Sequence, residues 1–449
     1  MPSVRLPWAT AEGHVLAESC RAVYVVHPWS MTETASRDRV HDLGVGVEPA
    51  AVGLDAGQLA RIDAHFRRYV DDGKLPGWSL LVSRRGQIAH LGTYGHRDVE
   101  AGLPIELDTL FRLYSMTKPI TSVAAMMLYE EGAFELTDPV HRFLPAFADM
   151  RVFVGGSELR PQTVPAIEPI RIWHLLTHTA GLTYGFLRAH PVDAIYRAAG
   201  FEWGAPPGLD LAGAVDGWAR MPLLFQPGSE WNYSIATDVV GRLVEVVSGQ
   251  PLDEFLTDRI LTPLGMRDTA FRTPEDRRDR LAALYTPDLR TGRATRNDAM
   301  GSEVLAPTWL SGGGGLVSSL HDYHRFTQML LGRGRLGDVR LLGDRTMRYM
   351  TRNHLPGGAD LAVFGRPLFA ETTFDGIGFG LGFSVTVDPA ATKTLGSPGE
   401  FAWGGAASTV FWVDPVEELT VVFLTQLLPS STYPIRSQLK QLVYAALVD

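Results

Sequence analysis

Two serines in this chain stand three residues ahead of a lysine, in "SMTK" at 115–118 and in "SQLK" at 437–440. A serine hydroxyl is a poor nucleophile until a neighbouring base takes its proton, and a lysine amine is such a base only where burial lowers its pKa. Three residues is nearly one helical turn, so in either copy the hydroxyl and the amine can share a face. Spacing alone does not choose between the copies, and it also fits a capping serine beside a lysine that reaches out to water. Lysine is scarce here, however. Of 41 basic residues only Lys74, Lys118, Lys393 and Lys440 are lysines, and arginine cannot shed its proton to act as a base.

Other chemistry-bearing patterns are weaker. His174 and His178 are four apart, and His321 and His324 three apart, spacings that can place two metal ligands on one helix face. Neither pair carries the HExxH glutamate and no cysteine cluster supports them, so structural histidines and no metal are expected. No GxSxG occurs, which removes the nucleophile elbow of the α/β-hydrolases. "SGGGG" at 311–315 lacks the GK[ST] ending of a phosphate loop and the spacing of a dinucleotide turn, so it reads as a sharp, close-packed turn and no cofactor is expected.

The elements around these residues distinguish the two serines. Val123 to Leu128, after Ser115 and Lys118, are apolar nearly all round, as in a buried helix. A serine at its start gains free N–H groups and the positive end of the helix dipole, both of which stabilise developing negative charge. Ser437 and Lys440 fall instead on the polar side of a terminal amphipathic helix whose apolar positions are Ile435, Leu439, Leu442 and Ala446. That copy is expected to be solvated surface.

Along the chain, Asp55 caps a helix with Leu59, Ile62, Phe66 and Val70 on one face, and Arg85-Gly86 turns a hairpin. Three further strands are expected in 377–388, 399–414 and 418–426, followed by the closing helix. The implied fold class is α/β (α+β): one antiparallel sheet built from both chain ends and flanked by helices, with an inserted, mostly helical subdomain. Residues 1–50 read as an N-terminal extension, with Met31 an alternative start, and 51–449 as one domain. Within that domain the sheet part covers about 51–115 and 305–449, and the helical part about 116–304.

"LYSMTKPI", "HLLTHTAGL" and "NYSIATD" together resemble the serine β-lactamase and penicillin-binding-protein superfamily, in its class C-like branch, over roughly residues 55–445. The resemblance implies a β-lactamase-like fold with three site motifs: SxxK at Ser115–Lys118, YxN at Tyr233-Ser234-Ile235, and a KTG-type triad at Trp403-Gly404-Gly405. Two of the three depart from the β-lactamase pattern. Ile235 stands where an asparagine would meet a substrate amide, and Trp403 where a lysine would hold a carboxylate. SxxK with YSx and WGG resembles the family VIII carboxylesterases, which share the fold but mainly hydrolyse esters. "KTLG" at 393–396 is a rival triad, but it carries an extra residue and precedes the expected strand.

The resemblance implies that Ser115 attacks a small-molecule ester while Lys118 and Tyr233 share the proton relay. The N–H groups of Ser115 and Ala406 would bind the oxyanion beside Trp403, Gly404 and Gly405. β-Lactam turnover is expected to be weak or absent. An acyltransferase or D-amino-acid peptidase uses the same acyl-enzyme, and a non-catalytic ligand sensor could use the same fold. The aromatic stretch 184–225 is either an acyl or alcohol pocket or packing of the inserted part, and 354–374 could make an opposite rim.

Bulk properties narrow the setting. A 45% hydrophobic, 20% charged composition with 46 Gly and 29 Pro is that of a loop-rich globular protein. The net charge of −9 argues against nucleic-acid and anionic-membrane partners. A lone cysteine, Cys20, excludes an intrachain disulfide and a thiol-ligated metal. With no signal-like start and no apolar run of about 18 residues, a cytoplasmic protein is expected. Oligomeric state is not legible.

Overall fold

A computed structural model of the chain describes residues 43–449 apart from Asp298. Cys20, Met31 and all of the expected extension up to residue 42 lie outside the described residues. Residues 43–50 run along the body, where the Gly46 N–H donates to the Ile88 carbonyl at 2.9 Å.

Asp55 caps helix α1 (Ala56–Asp71) by accepting the Gln58 N–H, and Leu59, Ile62 and Phe66 form its buried stripe. The Arg85-Gly86 turn has φ of 53° and 73°, the left-handed pair that matches the twist of a tight hairpin. It joins β1 (Gly77–Arg84) to β2 (Gln87–Asp98), beside which lies the short β3 (Leu103–Pro104). From the other chain end come β4 (Ile377–Phe379), β5 (Ser384–Thr386), β6 (Phe401–Gly405), β7 (Thr409–Asp414) and β8 (Leu419–Leu424). Three expected strands are thus five. Gly380 and Gly382 break the first run, and a turn closed by the Ser408 N–H on the Gly405 carbonyl at 3.0 Å breaks the second.

The eight strands form one sheet in the order β4-β5-β6-β7-β8-β1-β2-β3, with antiparallel neighbours. The β8–β1 pairing, Leu80 opposite Phe423 and Val82 opposite Val421, joins the two chain ends. Alternation along each strand gives the sheet two apolar faces. Leu80, Val82, Trp412, Val421 and Phe423 face α1 and the closing helix, whose buried residues include Ile435, Leu439 and Val443. Leu81, Phe411, Val413, Val422 and Leu424 belong to the larger core on the opposite side.

That larger core contains helix α2 (Thr117–Glu130), buried at every position from Thr117 to Leu128. Packed against it is α3 (Ala236–Ser248), and α4 (Leu320–Leu331) lies on the sheet. The Tyr323 hydroxyl of α4 donates to the Met116 carbonyl at 2.9 Å, pinning the start of α2. The stretch 116–304 also holds two hairpins, Arg151–Ser157 with Arg160–Pro165 and Tyr285–Pro287 with Ala294–Arg296. Among the described residues no helix is long and apolar enough to cross a membrane.

Candidate active site

The segment Phe111–Arg112 pairs with Val317–Ser318, and the chain then turns sharply into α2. Tyr114 makes the turn at φ 46°, a left-handed conformation that costs a non-glycine residue about 1–3 kcal/mol. Ser115 follows in a single 3₁₀ turn, Tyr114–Met116, at the mouth of α2. The strained residue therefore sets the direction from which the Ser115 side chain leaves the backbone.

Three of the expected site residues meet at one oxygen. The Tyr233 hydroxyl donates to Ser115 Oγ at 2.5 Å, and Lys118 Nζ lies 3.2 Å from the same atom. Lys118 is 1% exposed, donates to the Gly313 carbonyl at 2.7 Å, and sits 4.7 Å from the centre of the Tyr233 ring. Burial brings its pKa down to about 8, against the pull of the Asp238 and Glu371 carboxylates. That drop corresponds to about 3 kcal/mol against the ammonium. Burial moves Tyr233 the other way, well above the ordinary phenol value, with the Glu371 charge adding to the effect. Of the two groups touching Oγ, the amine is brought toward neutrality and the phenol is kept protonated.

Several groups around this triad were not legible as site residues. The "SGGGG" turn closes over Lys118. The Gly313 N–H donates to Asp238 Oδ1 at 2.9 Å, and the Ser311 hydroxyl donates to the same oxygen at 2.6 Å. His178 comes after the short helix Ile172–Leu176 rather than on it, at φ 55°. Its Nδ1 is 3.1 Å from Ser234 Oγ, and its ring stands edge-on to Tyr233 at 5.3 Å. Burial and the nearby Lys118 charge hold His178 well below its usual pKa, so it is neutral. An acid inside the buried run of α3 was the one sequence signal for Asp238.

Strand β6 forms the second wall. Trp403 is buried, with its ring 5.5 Å from Tyr233 and 5.3 Å from Phe379. Gly404 and Gly405 are bare because the protein packs tightly against them. A Cβ on Gly404 would lie 2.2 Å from the Arg436 guanidinium, and one on Gly405 2.2 Å from the Leu113 carbonyl. The close approach is therefore between parts of the protein, and it presses the end of β6 against the segment that carries Ser115. Ala406 follows, partly exposed, in the turn after β6. Arg436 donates to the Gly405 and Thr409 carbonyls at 3.1 Å and pairs with Glu371 Oε2 at 2.6 Å. Glu371 is itself buried, and its Oε1 has no hydrogen-bond partner among the described residues.

Aromatic rings lead from this centre to solvent. Tyr184 stands edge-on to Tyr233 at 5.3 Å, Phe186 stacks on Tyr184 at 4.8 Å, and Trp203 stacks on Phe186 at 5.3 Å. Trp203 is 64% exposed. From the opposite rim Phe369 meets Phe186 edge-on at 6.2 Å. In the 184–225 stretch Phe201 and Trp218 pack in the core, while Tyr184, Phe186 and Trp203 form a row of stacked rings.

The remaining candidates lie elsewhere. Ser437 is exposed and its hydroxyl donates to the Pro434 carbonyl at 3.1 Å. Lys440 is not the solvated residue expected from its helix face, since it bonds the buried Glu400 and lies over the Trp412 ring. Lys393 of "KTLG" occupies a surface turn and pairs with Asp375 at 3.3 Å. His174 Nδ1 accepts the Arg171 N–H at 3.0 Å and His321 pairs with Asp322, while His324 is buried. No cluster of three or more His, Cys, Asp or Glu suited to a metal occurs among the described residues.

Comparison with known proteins gives a consistent set of likenesses. The β-lactamase family profile matches residues 62–445. Protein Rv1367c of Mycobacterium tuberculosis is 38% identical over 371 residues, covering 82% of this chain and 89% of its own. Esterase EstB of Burkholderia gladioli is 34% identical over 419 residues, covering 89% and 98%. Among solved structures, EstCE1, described as a hydrolase with promiscuous acyltransferase activity, superposes with a TM-score of 0.74 at 29% identity. It covers 86% of this chain and 99% of its own.

Proposed function

The chain belongs to the β-lactamase family, and from that premise we propose that it is a serine carboxylesterase of the family VIII type. It hydrolyses short to medium acyl esters through an acyl-enzyme on Ser115, with little or no β-lactamase activity. The observation that carries the reading is the convergence of the Lys118 amine and the Tyr233 phenol on Ser115 Oγ, at 3.2 and 2.5 Å.

In the proposed reaction neutral Lys118 takes the Ser115 proton as Oγ bonds to the ester carbonyl carbon. The Ser115 and Ala406 N–H groups hold the oxyanion. The carbon–oxygen bond to the alcohol then breaks, and Tyr233 hands the leaving oxygen its proton and is reprotonated through Lys118. Water attacks the acyl-serine in the second half, releasing the acid and restoring the Ser115 hydroxyl. The preference for esters is supported by the apolar Ile235 and the neutral Trp403 at the positions where a β-lactamase would read amide and carboxylate. The wall of Tyr184, Phe186 and Trp203 supports an apolar acyl or alcohol group.

Transfer of the same acyl group to an alcohol or amine is the second reading, favoured by that apolar approach to the nucleophile. The test is turnover of p-nitrophenyl acetate, butyrate and octanoate beside a chromogenic cephalosporin, with and without added alcohol or amine acceptor. Ester hydrolysis with slow cephalosporin turnover is expected. Robust cephalosporin turnover would overturn the ester preference, and product partitioning to the acceptor would favour the transferase.

A further inference from the structure

We infer that Asp238 is a positioning residue for this reaction: through the Gly313 peptide it aims the Lys118 amine at Ser115 and supplies the negative charge against which that amine titrates. The inference rests on the reading of Lys118 as the base for Ser115.

The geometry is a single relay. The Gly313 N–H donates to Asp238 Oδ1 at 2.9 Å, and the carbonyl of the same glycine accepts from Lys118 Nζ at 2.7 Å. One residue therefore carries the carboxylate on its N–H and the amine on its C=O, so Asp238 anchors the residue whose carbonyl holds Lys118. At Gly312 and Gly313 the turn has no room for a side chain. A Cβ on Gly313 would fall 2.5 Å from Asp238 Oδ2, and one on Gly312 2.9 Å from the Thr237 carbonyl. Asp238 is 2% exposed and sits five residues after Tyr233 in α3, beside the apolar Val239 and Val240. A carboxylate there is costly unless it is bonded, and two of its donors, the Ser311 hydroxyl and the Gly313 N–H, belong to the turn that holds Lys118.

Charged and titratable groups face Lys118 from each element around it. Asp238 lies on α3, Glu371 on the 366–374 loop, His178 after the 172–176 helix, and Ser115, Tyr184 and Tyr233 complete the shell. His178 is neutral, and Glu371 is paired with Arg436. Asp238 exerts the stronger carboxylate pull on the Lys118 ammonium, ahead of Glu371. Removing that charge destabilises the ammonium, so the amine becomes a free base at lower pH.

The test is Asp238→Asn, whose amide oxygen can still accept the Gly313 N–H. The readouts are kcat/KM for p-nitrophenyl butyrate from pH 5.5 to 10, and the rate at which a fluorophosphonate labels Ser115 over the same range. In the unaltered enzyme both should rise about tenfold per pH unit up to the Lys118 pKa, about 8, and level off above it. In Asp238→Asn the rising limb of both should move to lower pH by about one unit, with KM unchanged. A uniform fall at every pH with the limb in place, or a limb moved upward, would overturn the inference. Asp238→Glu keeps the charge and disturbs the Gly313 bond, so its plateau should fall with the limb in place. An unchanged plateau there overturns the positioning role even if Asp238→Asn does not fold. Absence of Ser115 labelling in the unaltered enzyme would instead sink the esterase reading itself, and this inference with it.

Discussion

At 115–118 the lysine amine ends on a carbonyl, Gly313 O at 2.7 Å, with an aromatic ring beneath it. At 437–440 the amine ends directly on a carboxylate, Glu400, whose side chain is 1% exposed. The serines differ in the same sense. Ser115 Oγ is reached by both the amine and a phenol, whereas the Ser437 hydroxyl turns back to the carbonyl of Pro434. Identical spacing thus yields a candidate site in one place and a fastening in the other. The deciding factor is what the amine meets at its far end: a direct carboxylate partner ties Lys440 into the contact between the closing helix and the sheet.

Substitutions that treat the two pairs alike should separate them. The largest contrast is between the serines: Ser115→Ala is expected to lower kcat/KM for p-nitrophenyl butyrate by at least about 10³-fold, while Ser437→Ala leaves it unchanged. Equal losses in the two variants would erase the distinction. Next come the groups that move the proton. Lys118→Met and Tyr233→Phe should each cost about 10²–10⁴-fold in kcat, and near-normal turnover in either would remove that residue from the relay.

Lys440→Met should act on stability instead. It strands a buried carboxylate and is expected to cost about 3 kcal/mol, read as a lower urea midpoint at unchanged slope, with kcat/KM intact under native conditions. A loss of activity without a loss of stability would mean that the second pair takes part in the chemistry. The smallest effect sharpens the substrate side: Trp203→Ala should raise KM for the octanoate ester about fivefold, the equivalent of about 1 kcal/mol of apolar contact, and leave the acetate ester alone.

Much of this was readable before the fold was known, for local reasons. The hairpin at Arg85-Gly86, the capped α1 and the buried α2 each depend on neighbours a few residues away, and Ser115 inherits its burial from α2. The parts that escaped depend on distant partners. Asp238 sits in an apolar stripe and makes sense only once the turn at 311–315 is laid against it, 75 residues away along the chain. Arg436 and Glu371 meet across 65 residues. Lys440 was misjudged for the same reason, because the face of a helix gives no sign of a carboxylate waiting on the sheet below. The crowding at Gly404 and Gly405 likewise comes from residues distant in the chain, Arg436 and Leu113.

The sparing use of lysine has a practical corollary. Among the described residues, Lys118 is buried and Lys440 is 20% exposed and paired, which leaves Lys74 at 43% and Lys393 at 78% as the accessible ε-amines. Amine-directed coupling to a resin or a dye would therefore fasten the folded chain through very few points. Neither anchor touches Ser115, Lys118 or Tyr233, so attachment through them leaves the candidate site chemically untouched.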